Sequence, residues 1–308
     1  MKLEGIHHIT AITADGQNNL DFYVGVMGLR LVKKTVNQDQ TSVYHLFYAD
    51  DAGDPGSDLT FFEFPGSPPG RAGAGMVHRV VWRVASAEAI GFWEQRLSDK
   101  GVDTRREDDG LVFSDPEGLD HELVVPDVPD APLTAEHPDI PAEHALQGFH
   151  AARAYVAEPE ASRELYEEAL AFESREDGVW EARGPDRGGL YITDDPPSDH
   201  GLQGAGSVHH IAWASHTGDH EAWRDRVIEA GGRPTPVIDR YYFRSIYFRE
   251  PSGVLFELAT IEGPGFAIDE DPEHLGEKLS LPPFIESQRA EIEPGLTPLR
   301  NPRESLQA

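Results

Sequence analysis

The chain repeats one pattern four times, and few folds accommodate such a repeat. Each copy opens with a short apolar strand carrying a histidine: GIHHITAIT from Gly5, MVHRVVWRV from Met76, GFHAARAYV from Gly148 and SVHHIAWAS from Ser207. An acidic stretch with apolar residues at three-to-four spacing follows, from Asn18, Ala87, Glu160 and Asp219, as a helix packed on one face requires. Each copy closes on strand pattern: LTFFEFPG from Leu59, LDHELVVP from Leu119, GGLYITDD from Gly188 and GVLFELAT from Gly253. Turn signals DPEG at Asp115 and EPSG at Glu250 precede two of these strands. A strand, a helix and three strands per copy predict an α+β protein of four βαβββ modules, with curved mixed sheets backed by helices. Taken two by two, the modules give a first domain over residues 1–130, an acidic, Pro-rich linker over 131–145, a second domain over 146–262, and a surface-wrapping tail over 263–308.

The repeat also separates the histidines by task. The first one recurs in all four copies as His7, His78, His150 and His209, and strict alternation puts it on the helix-packed face with Ile9, Val80, Ala152 and Ile211. The second position holds His8, Arg79, Ala151 and His210, so only modules one and four offer an imidazole there. Thr10, Ala212 and Ala214 on that face leave room for a ligand. In the closing strands Glu63, Glu122 and Glu257 read as one repeated position, with Tyr191 in the third copy. An ionised Glu257 among Leu255, Phe256 and Leu258 needs a cation or a charged partner. Setting module one against module four gathers His8, His210 and Glu257, the donor set of a mononuclear non-haem iron site with open positions. Modules two and three offer an Arg79–Glu122 pair instead. Glu63, as a fourth ligand, would close one of the open positions. A β-bulge at each His-His pair would turn both rings toward one cleft. The other histidines, His45 and His121 among them, share no spacing and read as core or surface residues.

Composition removes other chemistries. With no Cys, disulfides, thiolate metal sites and a Cys nucleophile are excluded, which leaves His, Asp and Glu as ligands. Lysine and arginine number 26 against 55 acids, a net charge of −29 that repels nucleic acid and anionic membranes. Such self-repulsion suits a salt-rich cytoplasm, because screening shortens it to about 3 Å at 1 M salt. No apolar run approaches the roughly 20 residues of a membrane span, and MKLEGIHHIT enters a strand without a signal-peptide profile. A cytoplasmic protein is expected.

The paired histidines and the terminal glutamate resemble those of the vicinal oxygen chelate superfamily, the glyoxalase, bleomycin-resistance and extradiol-dioxygenase proteins. GIHHITAIT, FYVGVMGLRLVKKTVNQD, YHLFYAD, DRYYFRSIYFREPSGVLFELAT and DEDPEHLGEKLSLPP are similar to the hydroquinone-type ring-cleaving dioxygenases within it. That resemblance implies a glyoxalase-like fold, Fe(II) (with Mn(II) as the alternative) on His8, His210 and Glu257, and substrate-side or supporting roles for His7, Thr10, His209, Arg240 and Tyr247. It also implies a small aromatic diol and O₂ as partners, in a chain that could form a homo-oligomer. Two rival readings are a glyoxalase-like isomerase or lyase with Glu63 as fourth ligand, and a binding protein that sequesters a toxic small molecule between modules.

Overall fold

A computed structural model describes residues 1–263 and 265–303; Pro264 and residues 304–308 of the tail lie outside the described residues. Module one supplies β1 (Ile6–Thr13), β2 (Arg30–Asn37), β3 (Gln40–Ala49) and β4 (Asp58–Glu63). Module two supplies β5 (Met76–Arg83), β6 (Thr104–Glu107), β7 (Gly110–Ser114) and β8 (Asp120–Val124). Module three supplies β9 (Phe149–Tyr155), β10 (Glu173–Glu176), β11 (Val179–Arg183) and β12 (Gly188–Asp194). Module four supplies β13 (Val208–Ser215), β14 (Ile238–Asp239), β15 (Arg244–Arg249) and β16 (Leu255–Thr260). Helical segments follow the opening strands, and in modules one and three they widen into π-type turns at Asp21–Val26 and Leu165–Ala169.

The strands form two eight-stranded sheets, ordered β14-β15-β16-β13-β1-β4-β3-β2 and β10-β11-β12-β9-β5-β8-β7-β6. Each sheet therefore joins one module from either side of the linker, one with four and two with three, and does not follow the two sequence halves. The cause is the open edge of each opening strand. Its own module covers one side with a parallel closing strand, as β4 covers β1 and β8 covers β5, and the other side needs a partner. For β5 that partner is β9, the next opening strand in the chain, paired antiparallel. This leaves β1 and β13 to pair antiparallel with each other.

The helical layer ties the modules in the opposite sense. Asp115, in the DPEG turn of module two, accepts from the amides of Glu117 and Leu119 at 2.9 and 2.8 Å and from the Tyr23 hydroxyl of module one at 2.9 Å. Glu250, in the EPSG turn of module four, accepts from the amides of Ser252 and Val254 and from the Tyr166 hydroxyl of module three at 2.8 Å. Arg96 of module two meanwhile donates to the Gly25 and Val26 carbonyls, which the end of the first helix leaves unpaired. Sheets join one to four and two to three, whereas helices and turns join one to two and three to four. One continuous apolar core, including Trp82, Trp93, Trp180, Trp213 and Trp223, results.

The tail packs on module one. Leu275, Leu279, Leu281, Ile285 and Ile292 are buried. The fully buried Lys33 ammonium of β2 holds the segment in place: it donates to the Phe266 carbonyl at 2.9 Å and to Asp269 at 2.7 Å, and it pairs with Glu270.

Candidate metal centre

Each opening strand is bulged at its first histidine. Between β1 and β13 the register jumps from Ile6↔Trp213 to His8↔Ala212, and again from Thr10↔His210 to Ala11↔Val208. His7 and His209 are the extra residues. His78 and His150 are the extra residues between β5 and β9, where Val77↔Ala154 steps to Arg79↔Arg153 and Val81↔Ala151 to Trp82↔Phe149. Strict alternation placed His7 and His209 against the helices, and the bulge corrects that: each ring turns to its neighbour's side. His7 Nδ1 lies 2.9 Å from His8 Nδ1, and His209 Nδ1 lies 2.8 Å from His210 Nδ1.

With their Nδ1 atoms so engaged, His8 and His210 present Nε2 to one point. The two Nε2 atoms are 3.2 Å apart, and Glu257 Oε2 lies 3.1 Å from the first and 2.9 Å from the second. The register explains the convergence. Ala212 stands between His8 of β1 and Glu257 of β16 in one cross-strand row, and its methyl group leaves the space above it open. His7 Nδ1 is so placed that it can accept a proton carried on His8 Nδ1. In the tautomer with the proton on His8 Nδ1, Nε2 is free to serve as a metal ligand. Burial, with His8 beside it, brings the His7 imidazole down to about 3, so it stays neutral.

These residues fit a metal ion. Glu257 is 0% exposed, and neither of its carboxylate oxygens accepts a well-formed hydrogen bond. Burial alone would raise its pKa, yet the imidazoles of His8 and His210 hold it well below the ordinary carboxylate range. A buried anion without hydrogen-bond donors calls for a cation, and two imidazoles and a carboxylate whose donor atoms all lie within 4.8 Å of one another supply the ligands for one. Among the described residues this is the single grouping of its kind. The corresponding place in the other sheet is filled by ion pairs: Arg79 reaches Glu122 at 3.1 Å and Glu107 at 2.7 Å, and His78 reaches Asp194 at 2.8 Å.

The closing strands require a correction. Glu257 pairs with Ala212 and Glu122 with the equivalent Val81, but the corresponding partners of Thr10 and Arg153 are Thr60 and Ile192. Glu63 and Tyr191 therefore do not share the position of Glu257. Glu63 lies three residues past Thr60, an odd offset that turns it to the other face. There it sits opposite Thr13 and accepts the Gly16 amide at 3.1 Å.

Above the donors lies a narrow cleft of about 50 Å³ lined by His8 and His210, by the aromatic rings of Phe47, Phe62, Tyr242 and Phe243, and by Tyr247 and Arg240. Tyr247 pairs with Glu257 across β15 and β16, and its ring is 5.7 Å from that of His210. Burial and the Glu257 charge push its phenol well above the ordinary range, so it remains protonated. The Arg240 guanidinium lies 5.5 Å from the Tyr247 ring and donates to Asp39 at 3.0 Å. Gln38, beside Asp39 in the β2–β3 turn, donates to the Arg240 carbonyl at 2.8 Å and completes a clasp across the mouth. Thr10 does not line the cleft; it is fully buried, with its hydroxyl 2.8 Å from that of Thr60. His45, read from the sequence as a core or surface residue, lies in the cleft wall. Its neighbourhood was within YHLFYAD, but no repeated spacing marked the histidine itself.

Known proteins resemble this chain in sequence and in fold. The profile of the Glyoxalase/Bleomycin resistance protein/Dioxygenase superfamily matches residues 5–123 and 148–258. MhqA of Bacillus subtilis (strain 168), provisionally named a ring-cleaving dioxygenase, is 40% identical over 97% of this chain and 100% of its own length. Chlorohydroquinone/hydroquinone 1,2-dioxygenase of Sphingobium indicum is 32% identical over 94% of this chain and 95% of its own. A crystal structure of a provisionally named dioxygenase from Bacillus subtilis superposes with a TM-score of 0.89 at 39% identity, covering 97% of this chain and 98% of that one. Glyoxalase I from Zea mays, at 15% identity and a TM-score of 0.56, shares the fold over 83% of this chain and 92% of its own. The chain belongs to the glyoxalase, bleomycin-resistance and dioxygenase superfamily, the vicinal oxygen chelate proteins.

Proposed function

We propose that this protein is a ring-cleaving dioxygenase for a hydroquinone-type aromatic diol, with Fe(II), or Mn(II) as the alternative, held by His8, His210 and Glu257. The observation that carries the reading is three buried, converging donors on the floor of an aromatic-walled cleft. Relatives at 32 to 41% identity named for the same chemistry support it. When bound, the metal supplies a redox-active centre with positions left open by a three-ligand site. The overall reaction balances without an external reductant: one ring C–C bond breaks, the diol gives up four electrons, and both atoms of O₂ enter the product.

The chain's own groups do the remaining work. Phe47, Phe62 and Phe243 hold a planar ring and exclude water from it. Arg240, whose charge Tyr247 and Asp39 stabilise despite the cost of burial, stands ready to stabilise negative charge that develops on the substrate. Tyr247, protonated beside Glu257, can donate to an oxygen of the ring. His7 and His209 hold the two ligand rings by their Nδ1 atoms. The position of Glu63 on the opposite face removes the fourth ligand that a glyoxalase-like isomerase would use.

The test is oxygen uptake by Fe(II)-loaded protein with hydroquinone and with catechol. Uptake is expected with hydroquinone, and the Zn(II) form should be inert because zinc has no redox chemistry. Arg240→Ala should lower kcat at least tenfold and leave iron content within twofold of wild type. Loss of iron in that variant would place Arg240 in support of the ligands instead.

We also propose that the charge of −29 adapts the chain to a salt-rich cytoplasm. Its Tm should then rise steeply from dilute buffer to molar KCl as repulsion is screened. An unchanged Tm across that range would reject the adaptation.

A further inference from the structure

One polar group in the cleft has no part in the centre or in the Arg240 clasp. His45 lies on β3, two strands from β1, and β4 between them carries Thr60. Two strand spacings separate the backbones of β1 and β3 by roughly 10 Å. A hydroxyl relay crosses that distance: Thr10 Oγ1 lies 2.8 Å from Thr60 Oγ1, and Thr60 Oγ1 lies 2.8 Å from His45 Nε2. Thr10 and Thr60 are 0% exposed, so the relay cannot exchange its bonds for water. The His45 ring is further fixed between Phe47 and Phe62, at centroid distances of 4.0 and 4.4 Å. Its Nδ1 makes no hydrogen bond among the described residues, and the half-buried ring forms part of the cleft wall.

Three hydrogen-bonded side chains and two aromatic rings thus hold one unused hydrogen-bonding atom at the far wall of a cleft whose floor carries the metal donors. We propose that His45 Nδ1 binds the second hydroxyl of the diol, the one at the opposite end of the ring from the oxygen nearest the metal, and that it thereby selects para-diols over catechols and monophenols. This inference rests on the dioxygenase reading for the identity of the ligand. The relay serves either polarity. If Thr10 and Thr60 donate toward Nε2, Nδ1 carries the proton and donates; if Nε2 donates to Thr60, Nδ1 accepts. A phenolic hydroxyl answers both. In catechol the second hydroxyl adjoins the first and cannot reach this wall. Thr10 and Thr60 are positioning residues here, acting through His45.

The experiment is anaerobic titration of Fe(II)-loaded wild type, His45→Phe, His45→Gln and Thr60→Val with hydroquinone, phenol and catechol, read by calorimetry. Wild type should bind hydroquinone about tenfold more tightly than phenol, the value of one hydrogen bond in a water-poor site. His45→Phe should lose that ratio, with phenol and catechol affinities kept within about threefold, because only the ligand carrying the far hydroxyl meets the altered group. Gln at this place, able to donate and accept, should restore part of the ratio, and Thr60→Val should weaken it. A His45→Phe protein that keeps the wild-type ratio overturns the inference, as does a wild type that binds hydroquinone no better than phenol. Oxygen uptake judges the dioxygenase reading separately: the predicted ratios without uptake would sink that reading alone, and uptake with an unaltered ratio in His45→Phe would sink this inference alone.

Discussion

Glu257→Gln should lower metal retention and turnover by at least about a hundredfold, the scale on which even outer partners of a metal site act. Glutamine keeps the shape of the side chain but removes the charge that balances a cation in a fully buried place. The same change should leave the metal-free protein folded to within about 1 kcal/mol of wild type, since a buried carboxylate without good donors contributes little to stability and a carboxamide can donate to an imidazole Nε2. Metal content after desalting and urea unfolding of the metal-free form measure the two effects. Full metal retention by the variant would remove Glu257 from the centre, and a metal-free variant that fails to fold would make it a structural residue.

The second large effect concerns the tail. Lys33→Met should cost about 3–5 kcal/mol, because it strands the buried Glu270 and the neighbouring Asp269 without their cation. The loss should not stay local. The Tyr242 hydroxyl donates to Asp269 at 3.0 Å, and the Lys33 ammonium lies 5.2 Å from the Tyr242 ring, so the wall of the cleft next to Phe243 loosens with the tail. Unfolding in urea should show the destabilisation, and limited proteolysis should cut within residues 266–281 faster than in wild type. Replacing Lys33, Asp269 and Glu270 together by apolar residues should recover much of the stability, since no buried charge then lacks a partner. A Lys33→Met protein as stable as wild type would show that the ion pairs do not hold the tail.

The four modules were legible because each buries its helix face in the same way, which repeats the apolar pattern in the chain. The choice of sheet partners was harder to read. It depends on which opening strand covers which open edge, and the antiparallel pairing of β1 with β13 spans some two hundred residues without a local signal. His8 and His210 stood out because modules two and three carry Arg79 and Ala151 in their place. The bulges that turn His7 and His209 leave no mark in composition, and alternation therefore misplaced those rings. Glu63 misled for a related reason: both closing strands carry a glutamate, but only the register, three residues apart, tells that one faces Gly16 and the other the imidazoles. His45 belongs to a single module, so the repeat could not point to it. Its place follows from the sheet alone, through Thr60.

The most direct measurement of the central claim is the stoichiometry of oxygen consumption by the Fe(II)-loaded protein with hydroquinone, followed by product analysis. The account predicts one O₂ consumed per diol, a ring-opened acid containing both oxygen atoms, and no oxygen returned on addition of catalase. Formation of benzoquinone with hydrogen peroxide, from which catalase returns oxygen, would contradict it.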